Sequence, residues 1–86
     1  SAVPEQTDAI RAALEAEPLV GGVIHMRTLH TGPDEIMVAA KISVTGSTSA
    51  ADVAEAIDAA ERSIRAAVPE ARWIYLEPDI LRTPTP

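Results

Sequence analysis

From Ile36 to Val44 the chain alternates at every step: Ile36, Val38, Ala40, Ile42 and Val44 fall on one side of an extended backbone, and Met37, Ala39, Lys41 and Ser43 on the other. A strand with this period offers one apolar face to a helical layer, and a slip of one residue would turn the whole set the wrong way. Just before it, Thr31-Gly32-Pro33-Asp34 punctuates the chain, and Val23 to Leu29 is again β-branched and alternating. Two extended runs on either side of a Gly-Pro turn predict an antiparallel hairpin.

Helical patterns flank that hairpin. Pro4 to Glu17 is rich in Ala, Glu and Arg, with Ile10, Ala13 and Leu14 at helical spacing; Pro4 suits a first turn and Pro18 stops the helix. Leu19 to Gly22 then reads as a connector. Ser49, with Asp52 three residues on, opens a second helix that reaches Val68 and is stopped by Pro69, with Val53, Ile57, Ala60, Ile64 and Val68 as its apolar stripe. Arg72 to Glu77 is a third strand, in which Ile74 and Leu76 alternate with Trp73, Tyr75 and Glu77. A crossover through the second helix makes strands two and three parallel, so strand two is central. The expected fold is α+β, in the order αββαβ: a three-stranded mixed sheet with both helices on the face carrying Ile24, Met26, Val38, Ala40, Ile42, Ile74 and Leu76.

An 86-residue chain holds one such module. We expect residues 1–4 to be a leader, 5–79 the folded domain and 80–86 a flexible tail; a start at Ser1-Ala2 without Met reads as a segment of a longer chain. With no Phe and 2% aromatic residues the core is thin, and a chain this small gains from a partner surface. The net charge of −6 disfavours nucleic acid and anionic lipid and favours cations or basic partners. There is no cysteine, hence no disulfide and no thiolate site, and no apolar run is long enough to span a bilayer. Catalysis is not expected. The serines have no neighbouring histidine in a nucleophile and base pattern, Gly21-Gly22 is an isolated pair, and the remaining carboxylates belong to helix ends and wet faces.

Alternation then dictates what the uncovered side of the sheet shows: His25, Arg27 and Leu29 from strand one, Met37, Ala39 and Lys41 from strand two, and Trp73, Tyr75 and Glu77 from strand three. The chain's one Trp and one Tyr both stand there, beside Arg and Met, which is the composition of a binding surface. We read Arg27, Leu29, Met37, Lys41, Trp73 and Tyr75 as a dimer or partner face. The competing reading has Ile80-Leu81 folding back over the rings.

The run Val23 to Lys41 with His30-Thr31-Gly32-Pro33-Asp34-Glu35 at its centre, the helix ending Val68-Pro69-Glu70, and Ile74-Tyr75-Leu76-Glu77-Pro78-Asp79 together resemble one family. The chain is similar to the C-terminal cytosolic domain of cation diffusion facilitator (cation efflux) transporters, over residues 5 to 79. The resemblance implies a metallochaperone-like, ferredoxin-like fold and a homodimer at the cytoplasmic face of the cell membrane, attached to the transmembrane domain of the same parent chain. It implies a regulatory role in a proton-coupled exporter of divalent cations of the zinc, iron or manganese type, with dimer arms that close when metal binds. It also implies a metal site whose second-strand position is Lys41 here, whose third-strand position is Glu77, and whose following carboxylate is Asp79. Lysine is no ligand while protonated, so Lys41 is expected to pair with Glu77 and replace the ion's charge.

His25, Glu77 and Asp79 remain the candidate metal ligands, for a divalent ion such as zinc held weakly by nitrogen and oxygen donors. The competing reading of His25 is an interface or solvent histidine, that of His30 a turn residue capping its own loop, and that of Asp79 a solvated strand end. The alternative function, from another class, is a free-standing ferredoxin-like domain that carries a metal or binds a small ligand. About six apolar spans upstream would favour the exporter.

Overall fold

The computed structural model describes residues 3–44 and 49–80. Helix α1 (Pro4–Ala16) begins on its proline, with the N–H groups of Gln6 and Thr7 donating to the Val3 carbonyl at 3.0 and 3.1 Å. It ends where Glu17, ahead of Pro18, turns extended. Strands β1 (Val20–Gly32) and β2 (Glu35–Val44) leave only Pro33 and Asp34 as their turn. Ser49 caps α2 (Ala50–Ala67), its hydroxyl accepting the Asp52 N–H at 3.1 Å, and β3 (Ala71–Ile80) follows. The sheet order is β1-β2-β3, with β1 antiparallel and β3 parallel to the central β2. The expected αββαβ order and mixed sheet are what the chain forms.

Two extents differ from the sequence expectation. Leu19 to Gly22 is not a free connector, because β1 already starts at Val20, whose N–H donates to the Glu17 carbonyl at 3.0 Å and folds the chain straight from helix into strand. β3 continues past Glu77, since Pro78 pairs with Ile42, Asp79 with Ser43 and Ile80 with Val44 in a parallel ladder. Helix and strand run from Pro4 to Ile80; residues 1–2, 45–48 and 81–86 lie outside the described residues, and with them most of the expected leader and tail.

β1 carries the correction that matters most. Its pairing with β2 shifts between Val20 and Gly22, between Val23 and His25, and between His30 and Gly32. In the middle shift Val23 faces Ile42 and His25 faces Lys41, so Ile24 is an extra residue with no partner. Ile24, expected in the core, is therefore 53% exposed, and Val23 packs against the core in its place.

The core is aliphatic throughout. Ile10 and Leu14 of α1 and Ile64 of α2 meet Ile36, Val38 and Ile42 of β2, with Val68, Ala71 and Ile74 closing one end. The buried face of α2 is Ala56, Ala59, Ala60 and Ile64, whereas Val53 and Ile57, placed in its stripe from the sequence, are half-buried. Alanines at helical spacing let the α2 backbone approach its neighbours, and the larger residues ride at the rim. Polar ties fix the layers: the Thr7 and Thr28 hydroxyls lie 3.2 Å apart between α1 and β1, and Ser63 Oγ donates to Glu17 Oε2 at 3.0 Å between α2 and the end of α1.

Two substitutions test this arrangement by urea unfolding. Ile42→Val, which removes one methylene from a fully buried side chain, is expected to cost about 0.5–1.5 kcal/mol. Ser49→Ala, which leaves the Asp52 N–H without its cap, is expected to cost about 1 kcal/mol.

Candidate functional site

The face of the sheet away from the helices is organised in rows, because β2 pairs residue by residue with both neighbours. Leu29, Met37 and Trp73 form one row, Arg27, Ala39 and Tyr75 the next, and His25, Lys41 and Glu77 the third. The side chains run from apolar at the hairpin end to charged at the other. Leu29 (49%), Trp73 (46%) and Tyr75 (59%) are all well exposed, so no described residue folds back over the rings. Ile80 continues β3 opposite Val44, and Leu81 lies outside the described residues.

Ala39 is the small residue in the middle row. Between Arg27 and Tyr75, on strands roughly 10 Å apart, it forms the floor of an open groove of about 360 Å³ that His25, Lys41 and Glu77 also line. The sequence reading placed Ala39 on this face without giving it a role; the visible signal is a small residue on the central strand between two bulky ones on the flanks. Trp73 is braced at the rim, with the Arg72 guanidinium 5.7 Å from its ring centre while Arg72 Nη1 lies 3.7 Å from Glu35 Oε1.

Lys41 is the electrostatic centre of the face. Its Nζ lies 3.7 Å from Glu77 Oε2 and 3.9 Å from Asp79 Oδ2, so one ammonium stands against two carboxylates. His25 takes another partner: its Nε2 accepts a hydrogen bond from Arg27 Nε at 3.2 Å. Among the described residues Arg27 has no carboxylate partner. His30 is half-buried opposite Ile36 and, by the alternation of β1, points away from the row residues.

These positions decide how far one chain fits a resident metal. Glu77 and Asp79 are together, but a positive group stands against them, and His25 is turned to Arg27. No group of three or more His, Asp or Glu among the described residues is placed to hold an ion. The expected set His25, Glu77 and Asp79 is therefore not assembled within a single chain, because the ammonium already supplies positive charge beside the carboxylates. No helix among the described residues is long and apolar enough to cross a membrane.

The fold is a small α+β module with one face of its sheet uncovered. Comparison with known proteins then gives its family: the cation efflux protein, cytoplasmic domain, matches residues 2–79, and the chain belongs to that family. Solved structures agree on the fold. A variant of the MamM CTD superposes with a TM-score of 0.84 at 21% identity, covering 94% of this chain and 100% of that one. A nickel form of another MamM CTD variant gives 0.83 at 20% identity, covering 93% and 100%, and a copper form gives 0.82 at 20%, covering 91% and 96%. No curated protein matches the sequence.

Lys41→Met should alter unfolding free energy by less than about 1 kcal/mol in urea titration, because its ion pairs are largely solvated. Lys41→His, which replaces the ammonium with an imidazole beside the same two carboxylates, should bind zinc more tightly than the natural chain in isothermal titration; unchanged affinity would show that Glu77 and Asp79 do not act with position 41.

Proposed function

We propose that this chain is the homodimerisation and regulatory domain of a proton-coupled exporter of divalent cations of the zinc, iron or manganese type. It sits at the cytoplasmic face of the cell membrane and is joined to the transmembrane domain of its parent chain. The observation that carries the reading is the uncovered sheet face, where Leu29, Trp73 and Tyr75 stand exposed and Tyr75 lines an open groove. Exposed rings beside Arg and Met are typical of an interface core and are not needed by an isolated domain. Dimerisation through Arg27, Leu29, Met37, Lys41, Trp73 and Tyr75 covers that surface. No catalytic step is assigned to the domain.

The solved relatives include a nickel form and a copper form, which supports a divalent cation as the effector of dimer geometry here. For this chain the effector is bound weakly, because an ion attracted to Glu77 and Asp79 competes with Lys41. His25, Glu77 and Asp79 remain the proposed ligands, and they act in the dimer, since one chain does not gather them. Lys41 offsets one of the two carboxylate charges when metal is scarce, so pairing does not depend on the ion.

Sedimentation equilibrium of the chelator-stripped domain, repeated with excess zinc at pH 7.5, tests this. The expected result is a dimer in both conditions, with a change of sedimentation coefficient only at high zinc. A dimer that forms only with zinc would make the ion structural and remove the role given to Lys41; a monomer in both would overturn the reading.

A further inference from the structure

Charge is unevenly divided around the groove over Ala39. Its volume of about 360 Å³ falls within the roughly 300–1,000 Å³ of small-molecule sites. Two permanent cations line it, and they differ. Lys41 is offset by Glu77 and Asp79, at 3.7 and 3.9 Å, whereas Arg27 has no carboxylate among the described residues. Arg27 is held in place all the same. Its Nε donates to His25 Nε2 at 3.2 Å, which uses the inner N–H and leaves the terminal N–H groups of the fork for another acceptor.

Across the groove from Arg27 the surface is apolar. Arg27 pairs with Ala39, and Ala39 with Tyr75, so a guanidinium and a phenol ring stand on either side of one methyl group. The outer strands lie roughly 10 Å apart, which leaves room for a flat ring to rest on Ala39 against the Tyr75 ring. A carboxylate on that ring would meet the Arg27 fork through two parallel hydrogen bonds. In the next row Glu77 closes the groove with a negative charge, so a second anionic group would be repelled there. With one unpaired cation in the groove, phosphate and dicarboxylates fit poorly, and a neutral ring would leave the fork without an acceptor.

We propose that the groove over Ala39 is a binding site for a small aromatic monocarboxylate, its carboxylate on the Arg27 fork and its ring between Ala39 and Tyr75. Arg27 and Tyr75 also belong to the proposed dimer face, so the ligand and a second copy compete for them. That consequence rests on the homodimer reading; the site itself does not.

Benzoate is the probe, titrated into the natural chain in chelator at pH 7.5 and followed by the amide NMR fingerprint. Benzamide serves as its neutral counterpart, and acetate as the carboxylate without a ring. The expected result is saturable shifts centred on Arg27, Ala39 and Tyr75, with benzamide and acetate each binding about tenfold or more weakly. Arg27→Gln should weaken benzoate by about the same factor while the rest of the fingerprint stays in place. Arg27→Lys, which keeps the charge and loses the fork, should fall between the two. Benzamide binding as tightly as benzoate, an Arg27→Gln chain of unchanged affinity, or no saturable shift at those residues would overturn the site. Sedimentation equilibrium of the same samples separates this from the homodimer reading. A chain that is dimeric without benzoate and moves toward monomer as the groove fills supports both. A dimer unchanged at saturation overturns the competition. A chain monomeric throughout overturns the homodimer reading, and the site then stands or falls by the shifts alone.

Discussion

The parity of β2 is the constraint on which the rest of the structure depends. It is the central strand and pairs with β1 on one side and β3 on the other, so its alternation sets the facing of all three strands. Ile36, Val38, Ala40 and Ile42 are all buried on one side and form the floor against which both helices pack. With that side committed to the helices, Met37, Ala39 and Lys41 are committed to the other. The helical cover and the uncovered face are two consequences of one period-two pattern.

That dependence explains which parts were legible in the sequence. The hairpin, the crossover and the composition of the open face follow from the spacing around β2, and the Ser49 cap from Asp52 three residues on; the structure has each of them. What escaped was β1, where period two fails at each change of register. A bulge leaves no residue signature there, because Ile24 is as apolar and as β-branched as Val23, and only pairing against β2 decides which of the two turns inward. In the α2 stripe Ala60, Ile64 and Val68 are buried as expected, but Val53 and Ile57 are half-buried where Ala56 and Ala59 pack instead, for a related reason. Large residues attract the eye, but the packed positions are Ala56, Ala59 and Ala60, whose value lies in how close they let the backbone come. Of the site, Lys41 with Glu77 was expected from the resemblance to the family, whereas the turn of His25 toward Arg27 depends on side-chain geometry that spacing does not encode.

A core without Phe, Trp or Tyr has a bearing on function. The largest fully buried side chains are Ile and Leu, and both rings of the chain stand on the outside. Aromatic side chains carry the largest apolar area per residue, so placing them on the open face moves potential burial from folding to association. Such a domain is thin by itself and gains from pairing, in keeping with a small module whose work is done between copies.

The same face also separates two kinds of interaction along its length. At the hairpin end the rows are apolar and insensitive to ions; at the other end His25, Lys41, Glu77 and Asp79 hold charges whose balance a cation can change. A dimer joined at the apolar end can persist while the charged end responds, because the two terms act on different rows and the solvated charges are the more easily shifted. Lys41 sets the resting condition of that charged end. By standing against both carboxylates it reduces their mutual repulsion, and any divalent ion must compete with a cation tethered to the chain. An ammonium offers no coordination directions, so it neutralises without fixing the geometry that a metal would impose. In the dimer we propose, apolar contact at the Trp73 row and charge balance at the Lys41 row act together, and an ion that reached Glu77 and Asp79 would have to displace Lys41.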